Sequence, residues 1–127
     1  MTFDKFTIKA QEVVQEAVNT AQMNGQQTIE PIHVLKGILT KAKDVSTFIF
    51  QKLGVNANQV AMLVDQEIQH LPKVQGGQPY LSNDANSVLT KAMDTAKQMD
   101  DEFVSVEPIL LALLTVNSTA SRILRDA

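Results

Sequence analysis

The chain has 127 residues, 44% of them apolar and 20% charged, with a net charge of −3 and no cysteine. This is the length of one domain with enough apolar residues for a core, and it excludes disulfides and cysteine-ligated metals. The acidic balance argues against a nucleic-acid platform, which needs a basic face, and against a polybasic membrane patch; no apolar run reaches the roughly 20 residues of a membrane span.

A first helix is predicted from the N-cap Thr7. Ala10, Val13, Val14, Ala17, Val18 and Ala21 recur at helical spacing on one face. Asn24-Gly25 ends it, with Gly25 suited to the left-handed position beyond a helix. Pro31 opens a second helix, where its missing N–H costs nothing, with Val34, Leu35, Ile38 and Leu39 as the core face. After a polar break at Lys41-Ala42-Lys43-Asp44, a third helix carries Phe48, Ile49 and Leu53 and stops at Gly54. A fourth, starting near Asn56 or Asn58, carries Val60, Leu63, Val64, Ile68 and Leu71 and ends at Pro72. Residues 72–80 hold two prolines and a Gly-Gly pair and read as a linker. Ser82 then caps a fifth helix with Ala85, Val88, Leu89, Ala92, Met93 and Ala96 on its apolar face. A sixth carries Ile109, Leu110, Leu113 and Leu114, and a seventh Ile123 and Leu124. The predicted class is all-α.

The second half repeats the first. An offset of 75 residues aligns 6–49 with 81–124 without a gap. Nine pairs are identical: Ala10/Ala85, Val13/Val88, Ala17/Ala92, Thr20/Thr95, Ala21/Ala96, Leu35/Leu110, Leu39/Leu114, Thr40/Thr115 and Ser46/Ser121. Chance supplies about three in such a window, so the register reflects a duplication. Repeat one is read as about 4–71 and repeat two as 81–127, here called copy one and copy two, in a single domain 1–127 with its copies packed about a pseudo-twofold axis. The paired alanines let other helices approach closely. Gly54–Leu71 has no counterpart in copy two, so copy two is expected to be truncated, with the missing segment starting near position 128 and some apolar surface uncovered.

No catalytic centre emerges. His33 and His70 are the only histidines, without ligand spacing for a metal, and His33 is expected to be a structural hydrogen-bonding residue. No Gly-x-x-x-x-Gly-Lys-Ser/Thr phosphate loop is present. The expectation is a binding module rather than an enzyme, with no metal or cofactor in this chain. Phe3, Phe6, Phe48 and Phe50 are expected in the core, with Phe103 partly exposed in its loop. Met23, Met62, Met93 and Met99 are expected to fill core gaps. The N-terminus Met1-Thr2-Phe3-Asp4-Lys5 lacks the basic-then-apolar layout of a signal peptide. With the absence of cysteine, this predicts a cytoplasmic protein.

The chain resembles the Clp N-terminal repeat domain of AAA+ protein-remodelling ATPases along essentially its whole length. Phe6-Thr7-Ile8-Lys9-Ala10-Gln11-Glu12 resembles that family's first helix, and Ile29-Glu30-Pro31-Ile32-His33-Val34-Leu35 the start of its second. The stretch from Leu71 to Ser82 is similar to the inter-repeat linker of the bacterial ClpB disaggregase branch. The resemblance implies a mobile substrate-binding domain of a longer, ATP- and Mg-dependent homohexamer. Such a machine threads unfolded or aggregated proteins and works with the DnaK chaperone system in protein refolding and the stress response. An adaptor-docking domain, as in protease-linked relatives, is the alternative.

The resemblance further implies substrate contact between the repeats at Thr7, Asp101 and Glu107. Three positions that are leucine in some relatives are Lys91, Thr95 and Pro108 here, so apolar contact is expected from Phe103, Val104 and Val106 instead. Read from the residues alone, Thr7 is a helix cap and Glu107 suits the dipole of a helix first turn. The acidic run Asp100-Asp101-Glu102 reads as a solvated turn, and its functional reading is that it draws cationic or amide-rich segments to the groove rim.

Overall fold

A computed structural model describes residues 2–74 and 76–127. Helix α1 spans Ile8–Met23, α2 Pro31–Lys41, α3 Lys43–Leu53, α4 Ala57–His70, α5 Asn83–Gln98, α6 Val106–Thr115 and α7 Thr119–Asp126. Local chemistry sets these bounds. The Thr7 hydroxyl accepts the Ala10 N–H at 3.1 Å, and Ser82 accepts from Ala85 at 3.0 Å, so both first helices start on the same kind of cap. Asn56 caps α4 through the Gln59 N–H. Gly25 and Gly54 take left-handed φ of +66° and +72° beyond α1 and α3. The expected break at 41–44 narrows to Ala42 alone, which lies between α2 and α3.

Among the described residues, the regular structure is helical apart from two short pairings that the periodicity does not predict. Strand β1 (Thr28–Ile29) runs parallel to β2 (Tyr80–Leu81), in register Thr28 with Tyr80 and Ile29 with Leu81. Phe6 forms a single parallel bridge with Val104. A 75-residue shift exchanges these two pairings, since 28–29 becomes 103–104 and 80–81 becomes 5–6. The helix contacts exchange in the same way: α1 packs on α6 and α2 on α5, while α2 packs on α7 and α3 on α6. This reciprocity is what a twofold relation between the copies requires.

One continuous core runs through both copies and is densest between the first two helices of each. Ala10, Val13, Ala17 and Ala21 of α1 face Val34, Leu35 and Ile38 of α2, and Val88, Leu89, Ala92 and Ala96 face Ile109, Leu110 and Leu113. Copy one is packed more tightly at one point. Gly37 of α2 sits against the backbone of α1, where an added Cβ would run into the Val13 carbonyl. Its counterpart, Ala112, carries that methyl and is buried.

Helix α4 breaks the symmetry. Val60, Val64 and Ile68 are buried, and α4 packs on α2 and α7. Lys36 of α2 bonds Asp65 of α4 at 2.8 Å. On the face related by the twofold, Leu111 takes the place of Lys36 and is 40% exposed, beside α3 with Phe48 60% exposed. Phe48 therefore departs from the core role expected of it; the Lys52 ammonium lies 5.1 Å from its ring. Met23, Met62 and Met99 are also exposed rather than gap-filling, because each lies off the buried stripe or just past its helix. Met93 packs partly against the core.

A buried polar relay ties α4 to α2. The Glu30 N–H donates to His33 Nδ1 at 2.9 Å, which leaves the ring proton on Nε2 to donate to Gln26 Oε1 at 2.7 Å. Gln26 Nε2 in turn donates to the Ile68 carbonyl at 2.6 Å. Every polar atom of this buried set is used, and none of the described buried side-chain nitrogens or oxygens lacks a partner. Burial lowers the His33 pKa from 6.5 to about 4, only partly offset by the negative charge of Glu30.

Two outcomes follow. Gly37→Ala should destabilise the fold by about 3 kcal/mol, because the obstacle is backbone. Ala112→Gly should cost only about 1 kcal/mol; denaturant titration of both variants checks the difference. His33 has a folded pKa below its unfolded value, so the unfolded chain takes up the proton first on acidification. Its contribution is intact above about pH 6.5 and declines by up to about 3 kcal/mol as pH falls to about 4. His33→Asn should lower stability at neutral pH and flatten that decline, as measured by chemical denaturation across the range.

Candidate functional site

The loop between α5 and α6 is built by short-range hydrogen bonds. Past Gln98 the Met99 N–H still bonds back to Thr95 and Ala96, and Asp100 turns the chain with a φ of +58°. Asp100 occupies the place of Gly25, and its short polar side chain tolerates that conformation better than most. The Asp101 N–H then bonds the Ala96 carbonyl at 2.9 Å, as Gln26 bonds Ala21 in copy one. Val104 donates to the Lys5 carbonyl at 2.7 Å, and its own carbonyl accepts the Thr7 N–H at 2.9 Å. The start of α1 is thereby clamped to the loop of the other copy.

This clamp brings together some of the residues expected at the site and withdraws others. Asp101 and Glu107 line one shallow hollow of about 130 Å³, with Met99, Ser105, Pro108 and Leu111. Thr7 lies alongside through its backbone bond to Val104, but its hydroxyl serves the helix cap and it does not line the hollow. Phe103 is 46% exposed on the loop. Val104 and Val106 are corrected here: both side chains are buried, at 3% and 4% exposure, and neither offers surface to a partner. Val104 is buried through its bridge to Phe6, and Val106 is the first residue of α6 and packs into the core. Pro108 is buried at the floor, Thr95 is partly buried and Lys91 is exposed away from the hollow.

Met99 and Leu111 were not anticipated, and both add exposed apolar surface to the walls. The 75-residue register carries their signal. Copy one has Asn24 and Lys36 at these positions, and both are polar. There, Asn24 accepts a bond from Gln69 at 3.5 Å, Lys36 pairs with Asp65, and Gln26 bonds Ile68. All three partners belong to α4, so the matching surface of copy one is covered by a helix.

The hollow is suited to binding rather than to bond chemistry. Its two carboxylates are exposed, and the ion pairs among the described residues, Lys9–Glu12 and Lys36–Asp65, involve neither. Among the described residues no group of three or more His, Asp or Glu side chains could hold a metal, and no helix is long and apolar enough to cross a membrane. An apolar wall with a negative rim fits a polypeptide segment that offers apolar and cationic side chains together.

The chain is similar in sequence and in fold to known proteins. The Clp repeat (R) N-terminal domain family matches residues 5–127. The chaperone protein ClpB of Bacteroides thetaiotaomicron is 61% identical over 127 residues, which is 100% of this chain and 15% of that protein. The chain thus spans about one-seventh of the length of this relative. Among solved structures, the Hsp104 N-terminal domain from Candida albicans superposes with a TM-score of 0.87 at 22% identity, covering 97% of this chain and 81% of that one. A ClpV N-domain in complex with a VipB peptide superposes with a TM-score of 0.78 at 17% identity, covering 98% and 79%. With its duplicated helices, its reciprocal bridges and a family match over nearly its full length, the chain belongs to the Clp repeat N-terminal domain family.

Proposed function

We propose that this chain is the substrate-engaging N-terminal domain of a longer ClpB-type chaperone, holding exposed segments of unfolded or aggregated proteins before an ATP-driven motor pulls on them. The observation that carries the reading is the juxtaposition of exposed Met99 and Leu111 with the exposed carboxylates of Asp101 and Glu107 in one open hollow. Phe103 extends the apolar surface along the loop. The two copies, 4–71 and 81–127 joined by 72–80, act as one unit, because the loop is held in place by the start of α1. The ATP and Mg sites, the homohexamer and the cooperation with the DnaK system belong, on this reading, to the rest of the parent protein, which acts in the cytoplasm.

Weak binding suits this role, since cargo must be released to the motor. A small, open, partly polar surface implies a Kd on the order of tens of micromolar, near −6 kcal/mol. A second reading, docking of one adaptor or one defined peptide, is favoured by the ClpV N-domain solved with a VipB peptide. Titration of a permanently unfolded model protein distinguishes the two. The first reading expects saturable binding that Leu111→Asp weakens about tenfold and that Asp101→Ala and Glu107→Ala each weaken about threefold. In the parent chaperone the same changes should slow disaggregation while leaving basal ATP hydrolysis in place. Absence of binding, with parent disaggregation unchanged by all three variants, would rule it out; exclusive capture of one folded protein would favour the second.

A further inference from the structure

The two inter-copy pairings are not equally built. β1 and β2 pair through two residues each, Thr28 with Tyr80 and Ile29 with Leu81, whereas Phe6 and Val104 form a single bridge. The pair equivalent to Thr28 with Tyr80 would be Phe103 with Lys5, and it does not extend that bridge. The α5–α6 loop is therefore tied to the other copy by the Val104 N–H on the Lys5 carbonyl and the Thr7 N–H on the Val104 carbonyl. A pairing this short has little stability of its own.

The opposite edge of the same segment is held from α1. The bridge uses the Lys5 carbonyl and the Thr7 N–H, so the N–H and carbonyl of Phe6 itself face away from Val104 and need other partners. Phe6 gives its N–H to the Phe3 carbonyl at 3.0 Å, and the two rings meet edge-on. Gln11, in the first turn of α1, donates its side-chain amide to the Phe6 carbonyl at 3.0 Å and to the Phe3 carbonyl at 3.3 Å. Both partners are acceptors, so only the NH2 end of the amide can serve, and each of its two protons has a carbonyl. Residues 3–6 thus form a turn pinned to α1 on one edge and paired with Val104 on the other. In the other copy the position of Gln11 is taken by Asn86, one methylene shorter, and there the second strand pair does the holding.

We propose that Gln11 is a positioning residue for the α5–α6 loop: by pinning residues 3–6 to α1 it sets where Val104 stands, and with it the wall of the hollow that carries Asp101 and Ser105. The inference rests on the reading of that hollow as a binding surface. Gln11 does not line the hollow and acts on it only through Phe6 and Val104. The coupling is reciprocal, so a segment that binds the clamped loop must also tighten the bridge. A role confined to α1 predicts something different. Alanine is the better helix former, so Gln11→Ala would then be neutral or slightly stabilising.

Amide hydrogen exchange of the chain without ligand reads the bridge and its twofold counterpart together. Gln11→Ala should speed exchange at Thr7 and Val104 about fivefold, with Tyr80 and Ser82 of the other pairing unchanged. Gln11→Glu keeps the shape without the donor and should loosen the bridge at least as much; Gln11→Arg restores donors and should recover most of the protection. The amide shifts of Asp101 and Ser105 should move in the two loosened variants, and an unfolded model protein should bind them about threefold more weakly. Saturating the unaltered chain with that protein should slow exchange at Thr7 and Val104. Unchanged exchange at Thr7, equal acceleration at Ser82, or full binding by Gln11→Glu despite a loosened bridge would each overturn the proposal. If the unaltered chain binds no unfolded protein, the reading of the hollow fails, while exchange and shifts still decide whether Gln11 places the loop.

Discussion

Two short parallel pairings, one at Ile29 with Leu81 and one at Phe6 with Val104, hold each copy to the segment that leads into the first helix of the other. Each is only one or two residues long, and neither could persist alone in water. They persist because the helices on either side bury an apolar core, and they in turn fix where those helices begin. Thr7 and Ser82 cap their helices at the residue after each pairing, with the Thr7 and Ser82 N–H groups bonded to Val104 and Ile29. The position of the α5–α6 loop, and of every candidate binding residue on it, follows from this exchange.

On that symmetric frame the two copies have diverged in what they leave open. Copy one is closed on two sides. Helix α4 covers the face made by Asn24, Gln26 and Lys36, using polar bonds to Gln69, Ile68 and Asp65. The linker bonds the adjacent Gly25 and Gln27 carbonyls through Val74 and Tyr80. Copy two presents the same framework with Met99, Asp101 and Leu111 on one side and Lys5, Lys97 and Glu102 on the other. Polar groups that bond to a covering element in copy one give way to apolar and acidic groups that face outward. On the proposed reading, function is carried by differences within the repeat rather than by the repeat itself.

Much of the fold was legible because its determinants are local. Caps at Thr7 and Ser82, the proline opening α2 and the left-handed glycines after α1 and α3 each act within one turn of chain. The duplication was legible from its register. The strand pairings were not, since two-residue strands carry no periodic signal and their partners lie some 50 or more residues away in sequence. The exposure of Phe48 and Leu111 was hidden for a related reason, because it depends on which helix covers which face. At the candidate site, Asp101 and Glu107 were expected from resemblance, and the structure brings them to one hollow, while Val104 and Val106 were misplaced outward. The bridge to Phe6 buries Val104, and Val106 is buried as the first residue of α6, with Phe103 left partly exposed.

The Val74 and Tyr80 N–H groups of the linker bond the Gly25 and Gln27 carbonyls. Because the linker is joined to copy one through α4, it is never dilute relative to these partners. A tethered segment of this length competes at an effective concentration in the millimolar range, without any need for intrinsically strong contacts. The linker can therefore serve as a standing part of the architecture, although few bonds hold it.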